Sequence, residues 1–360
     1  MNRRPLIPIL LILSVWGSAR AQNTPPPEKS RVDARYALSI IDDATFYDNR
    51  SEPVPEVLNQ VLVEPALSYR FHDRLTLASS MIGLAGTYSA NYTQLRVKET
   101  YAGLSAGDFD FTLGRKIVRW GTGYAFTAAG VLDPPRIPTD PTDRLNLNEG
   151  RDMIKADWVH GTHAFSLAWS TAALAPAQAN LRDTTAFRYN VLVRGFDTAL
   201  IAGNDRGGDS FGALTFTRVL GQAWELHGEA VWREQAAVLL GAKYTVSGVT
   251  FIGEFFTPPN IPYYNYMGVS PLAGRQHFAF MTAGKARLRE RPGWKEWGLS
   301  GSIVANLDDR SYTPVIDASR WFGNHFSSYV HVEIPRGSKT SQFGSAPYST
   351  ATSVGVRFQL

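Results

Sequence analysis

The chain has 360 residues, 44% hydrophobic, 12% aromatic and only 19% charged, with no cysteine, which excludes disulfides, thiolate metal centres and cysteine nucleophiles. The formal charge of +4 shrinks to 33 basic against 32 acidic residues once Arg3, Arg4 and Arg20 are set aside with the segment read below as removed, so there is no electrostatic case for nucleic acid as a partner. The chain is too polar for a bundle of membrane helices, though not for a membrane barrel, whose strands spend half their residues on a wet interior.

Residues 1–21 read as a signal peptide. Met1 to Arg4 form a basic start, Pro5 to Gly17 an apolar run of 13 residues, and Ala19-Arg20-Ala21 supply small residues ahead of a cut before Gln22. As a helix the run reaches only about 20 Å, short of the roughly 30 Å hydrocarbon core. No Cys follows it, which excludes a lipoprotein, and no later stretch approaches 18 uninterrupted apolar residues. Residues 22–33, rich in Pro and charge, read as a flexible periplasmic leader.

Residues 34–360 are expected to form one antiparallel up-and-down β-barrel, because a period of two runs through most of that length. In Ala223 to Arg233, Trp224, Leu226, Gly228, Ala230 and Trp232 share one face, and Glu225, His227, Glu229 and Arg233 the other. Val63 to Phe71 and Ser353 to Leu360 alternate in the same way. A soluble sandwich alternates too. Three features favour a membrane barrel. Many alternating runs reach about 10 to 14 residues, where soluble strands average about 5 or 6. Tight connections such as His72-Asp73, His160-Gly161 and Ser247-Gly248 alternate with long polar ones, above all Gly121 to Gly150 and Pro335 to Tyr348. Short turns on one rim and variable loops on the other describe an outer-membrane barrel. Aromatics cluster near strand ends: Trp224 and Trp232 lie eight residues apart, about 20 Å across the membrane on a tilted strand, and Trp120, Trp158, Trp297 and Trp321 fall beside turns or loop starts. Eight tight turns give about 18 strands with both ends on the periplasmic side. The weakest are Ala199 to Asn204 and Arg310 to Phe322, so 16 is the alternative.

The terminal residues Gly355, Phe358 and Leu360 resemble the last-strand pattern of Gram-negative outer-membrane barrels, a glycine, an aromatic three residues on and a hydrophobic end. That resemblance implies insertion by the barrel assembly machinery. Leu95 to Ala102, Leu113-Gly114-Arg115-Lys116 and Arg119-Trp120-Gly121 resemble a segment of the alginate-export-type and related porin-like barrels, where a strand ending in Gly-Arg and then Trp-Gly precedes a long loop. It supports a porin-like reading without assigning alginate as substrate.

A lumen of this size is wide enough for water, so inward polar positions set selectivity. The expected pore-lining residues are Arg96 and Lys98 with Gln94 and Thr100; Arg115, Arg119 and Lys155; Arg188, Asn190 and Arg194; and Lys243, Lys285, Arg287, Glu225, Glu229, Glu254, Glu333, His227 and His331. Strict alternation from Phe109 and Phe111 turns Arg115 and Arg119 toward lipid at about 2–4 kcal/mol, so a bulge near Gly114 is expected. Gly121 to Gly150, stiffened by Pro134, Pro135, Pro138 and Pro141, is the third connection on the long-loop side, counting a short one near Ser89 as the second. By resemblance to general porins it folds inward and brings Arg136 and Arg144 to a constriction against the basic wall; the alternative is an ordinary surface loop. The spacing of its Asp residues matches no calcium loop.

Enzyme motifs are absent. Gly298 to Ser302 is no nucleophile elbow and Gly121-x-Gly123 no dinucleotide fingerprint, and the seven histidines lack ligand spacing, so neither catalysis nor a cofactor or metal is expected. The resulting expectation is a passive channel for small hydrophilic solutes, with a mild preference for anionic or sugar-like ones, with lipid as its surroundings, monomeric or trimeric. A barrel for polysaccharide export or surface attachment is the alternative, with Tyr263, Tyr264 and Tyr266 placed to stack on sugars or to join the interfacial girdle.

Overall fold

The computed structural model describes residues 32–49, 55–72, 74–87, 91–134, 136–171, 183–206, 209–233, 235–258, 276–286 and 296–360. Residues 1–31, Tyr263, Tyr264, Tyr266 and Arg287 lie outside them. The described residues form strands β1 (Val32–Asn49), β2 (Val57–Phe71), β3 (Leu75–Thr87), β4 (Asn91–Ala106), β5 (Phe109–Lys116), β6 (Arg151–His160), β7 (His163–Thr171), β8 (Thr184–Val193) and β9 (Phe196–Asp205). They continue as β10 (Ser210–Leu220), β11 (Trp224–Trp232), β12 (Ala236–Val246), β13 (Val249–Thr257), β14 (Phe278–Lys285), β15 (Trp297–Asn306), β16 (Ser311–Phe322), β17 (Phe326–Glu333) and β18 (Tyr348–Gln359).

Each strand pairs antiparallel with its chain neighbours, and β1 also pairs with β18 from Ser39↔Gln359 to Asn49↔Tyr348, which closes an 18-stranded barrel. The two weakest expected strands, β9 and β16, are fully paired, so the count is 18 rather than 16. β1 starts at Val32, inside the expected leader. Tight turns at Gly107, Gly161, Gly195, Gly221, Gly248 and Gly323 use positive φ at glycine, where L-residues are strained.

Alternation separates the two faces of the wall. In β11, Trp224 and Trp232 stand 47% and 70% exposed outside, whereas His227, Glu229 and Val231 are buried inside. Near the short-turn rim the outer face carries an aromatic belt: Trp224 on Tyr244 at 4.4 Å, Phe165 on Tyr189 at 4.7 Å, Phe326 on Phe358 at 4.9 Å, and the Arg320 guanidinium over Trp297 at 5.3 Å. Trp120 does not belong to it. It is 3% exposed and packed inside the barrel, because its loop turns inward.

The bulge expected at Gly114 lies elsewhere. β4 and β5 stay in register there, and the shift falls between Ser80 and Met81, opposite Lys98. The extra residue reverses the phase of β4, so Thr100, expected inside, shares the outer face with Ser79, to which its hydroxyl bonds at 3.0 Å, and Glu99 turns inward. Gly114 instead takes φ 120°, with the Thr100 carbonyl where a Cβ would sit. Lys285, also expected inside, is cross-strand to Val249 and to outward-facing Leu299 at the short-turn end of β14, where it still borders the open space of the lumen.

Candidate functional site: the lumen and its crossing loop

The connection between β5 and β6 does not lie over the rim. In a ring of 18 strands β1 stands opposite β10, and this one loop bonds to β11 and β13 near its start and to β1, β2, β4 and β18 near its end, so it spans the lumen.

Its first half is held by two inward glutamates. Glu229 Oε1 accepts from the backbone N–H of Thr122 and, at 2.9 Å, of Gly123; its Oε2 accepts from Ala128 and Ala129 at 2.5 and 2.6 Å and from the Thr127 hydroxyl at 3.1 Å. Glu254 accepts from Tyr124, from Ala125 at 2.9 Å and from Phe126 at 3.2 Å, and His227 Nε2 lies 3.0 Å from its Oε1. Both carboxylates are almost wholly buried, which is tolerable because their lone pairs are filled by charge-assisted bonds. The tight wrap needs glycine: a Cβ on Gly121 would meet the Thr127 hydroxyl, and one on Gly123 the Phe126 carbonyl. Phe126 stacks on Phe256 at 5.0 Å, and Trp120, Ala125, Ala128 and Leu132 complete an apolar core with Leu239, Phe280 and Phe343 inside the barrel.

The second half docks on the opposite wall. Arg144 Nη1 lies 3.2 Å from Asp43 Oδ2 and its Nη2 3.1 Å from the Ser353 hydroxyl; the Tyr329 hydroxyl donates to the same Asp43 oxygen at 2.8 Å, and Arg357 donates to the Arg144 carbonyl. Asn146 donates to Glu64 at 2.6 Å, and Lys98 bridges Glu64 at 2.9 Å and the Asn146 carbonyl at 3.2 Å. Leu145 and Leu147 pack on Ile41, Leu62, Ile82 and Leu84. Within the loop, Asp133 accepts from the Trp120 N–H at 2.6 Å. Burial raises its carboxyl to about 6 against the opposing Trp120 N–H and Arg136. A folded pKa above the exposed value means that protonated Asp133 contributes stability below about pH 4, lost as pH rises through 6. Burial raises the Asp140 carboxyl as well, against Arg144.

Most of the residues expected to form a basic wall are therefore engaged in pairs. Arg96 lies 3.4 Å from Glu149 and Lys155 is bound to Asp157. Arg115 does not line the pore: its guanidinium grips its cross-strand partner Asp152 at 2.7 and 3.1 Å and donates to the Val97 carbonyl, where β5 leaves the sheet. Arg136 bonds its own loop, at the carbonyls of Gly123 and Tyr124 and to Asp133 at 3.4 Å. Arg119 is exposed and lines a small recess on the loop with Asp133 and Arg136. Arg188 points inward, toward Asp133, Asp157 and Asp197. Arg194 falls outside the wall altogether, in the turn after β8 with φ 52°, because the strand stops at Val193. Glu225 and Glu229 are inward as expected, and Glu225 accepts from the Tyr124 hydroxyl at 2.8 Å. Sequence reasoning missed Asp43, Glu64, Glu149 and Asp152. Asp43 was legible from its alternation with Ile41 and Thr45, but the cations they meet lie far away in sequence.

The loop leaves an open space of about 410 Å³ on one side. Tyr124, Asp140 and Thr142 bound it from the loop, and Thr250, Ile252, Phe280, Thr282, Lys285, Leu299, Ser300, Ser302, Asp317 and Ser319 from β13 to β16. Small inward residues keep this part of the wall from being filled. At the terminus, Gly355 gives room to the Tyr329 ring, Phe358 joins the belt, and Leu360 is hydrogen bonded to Leu38 across the closing seam.

No protein-family model and no curated protein matches the sequence. Among solved structures the chain is similar to Pseudomonas aeruginosa OccK5 (OpdH), with a TM-score of 0.62 at 10% identity over 91% of this chain and 98% of that one. It is also similar to Pseudomonas aeruginosa OccK3 (OpdO), at 0.62 and 10% over 91% and 96%, and to Pseudomonas aeruginosa OpdK, crystallised with vanillate, at 0.61 and 9% over 91% and 98%. At such identities the likeness establishes the barrel fold.

Proposed function

We propose that the protein is an outer-membrane channel for passive diffusion of small hydrophilic solutes, narrowed by the inward loop. The observation that carries this reading is the loop itself: anchored to opposite walls, it crosses the lumen with a packed core and leaves a space at one side whose polar lining is mainly hydroxyl. The exposed apolar residues and the aromatic belt outside suit acyl chains and an interface, and OpdK is an outer membrane protein by description. Gly355, Phe358 and Leu360 serve in this reading as the assembly signal, and residues 1–21 as a cleaved export signal. A space of this size admits single small solutes, which favours diffusion over polymer export.

Liposome swelling with neutral sugars of increasing size tests the reading. Monosaccharides should enter quickly and tri- and tetrasaccharides slowly or not at all; equal rates for all, or no swelling with any, would refute it. The membrane placement has its own test. Leu240 is 53% exposed on the outer face beside fully buried Leu239. Leu240→Arg should cost about 2–4 kcal/mol of folding free energy in bilayers, read by reversible denaturant unfolding.

A further inference from the structure

We propose, building on the channel reading, that the open space passes cations and uncharged hydroxylated solutes in preference to anions. Most of the cations that would draw anions are held elsewhere, and exposed Arg119 lines a separate recess on the loop with Asp133, Asp140 and Asp143. Lys98, Arg115, Arg136 and Arg144 are each paired with a carboxylate at the loop anchors or within the wall. On the other side of the loop Lys155 is bound to Asp157, and Arg188 faces three carboxylates.

Around the space the balance runs the other way. Asp317 projects from β16 with its side chain 44% exposed, and Asp140 lines the same space from the loop, with Arg144, which it shares with Asp43, 3.8 Å away. His331, behind Asp317 and only 2% exposed, is shared between Asp317 at 2.6 Å and Glu333 at 2.9 Å, so carboxylates outnumber it in either charge state. Lys243 is offset by Glu225 at 3.9 Å and bonded to the Tyr124 hydroxyl at 3.1 Å; Lys285, at the short-turn end of β14, also lines the space, a cation set against Asp317 and the Asp317–His331–Glu333 cluster behind it. The rest of the polar lining is hydroxyl: Thr142, Thr250, Thr282, Ser300, Ser302 and Ser319. Hydroxyls both donate and accept, so they replace the hydration of a polyol, and a net negative rim raises the local concentration of cations.

The test is the reversal potential of the refolded chain in a planar bilayer under a tenfold KCl gradient. The native protein should be cation-selective. Asp317→Asn should lower the cation-to-anion permeability ratio about twofold or more, and Ser302→Lys, a substitution outside the loop anchors, should bring it to unity or below. Discrete conductance steps with an anion-selective reversal potential, or a ratio that neither variant moves, would overturn the selectivity and leave the channel standing. Absence of any steps would instead overturn the channel reading, and the selectivity with it.

Discussion

Replacing Glu229 and Glu254 together by glutamine is expected to raise single-channel conductance at least about twofold, with noisier open levels, because it loosens the loop and leaves the wall intact. The two carboxylates hold backbone N–H groups from Thr122 to Ala129. An amide keeps one acceptor and turns its NH2 group toward donors, so each site loses charge-assisted bonds of roughly 1.5–3 kcal/mol apiece and gains a donor–donor clash. β11, β12 and β13 keep their ladder, which does not involve these side chains. Limited proteolysis should cut the loop of the double variant and spare that of the native protein. Unchanged conductance would show that the loop does not limit the flow.

Asp43→Ala and Asp42→Ala should move stability in opposite directions although the residues are adjacent. Asp43 is 1% exposed and holds Arg144, the Tyr329 hydroxyl and the Thr45 hydroxyl. Its removal leaves a largely buried guanidinium with Asp140, 3.8 Å away, as its remaining carboxylate, and should cost about 3 kcal/mol, seen as a marked fall in the unfolding temperature in detergent micelles. Asp42 points outward, cross-strand to Val61 and Val356. An exposed carboxylate on an apolar outer face is unfavourable, so its replacement should be neutral or stabilising. Equal losses from both would contradict the assignment of the two faces.

Much of this architecture is legible in the sequence because it is local. Period-two alternation, the glycine and His72 turns and the Trp224–Trp232 spacing are properties of single strands and hairpins, and they led to the 18-stranded barrel. The inward course of the loop was expected from its resemblance to the third loop of general porins; its length and prolines alone equally suit a surface loop. The site was legible only in part. A period-two pattern shows that Arg96 and Lys98 face inward but not that Glu149 and Glu64 meet them, because those pairings form only on closure of the ring and inversion of the loop. The bulge at Lys98 depends on how β3 and β4 align, which one strand's sequence does not reveal. Gly121 and Gly123 failed as a dinucleotide motif, and their role became evident only with Glu229 in place.

Transport depends on an aqueous path through the barrel beside the loop. Recording the refolded native chain in a planar bilayer should show discrete, uniform conductance steps, smaller than those of the glutamine double variant. A protein inserted as a folded barrel that never conducts, or that conducts only in irregular bursts, would contradict it.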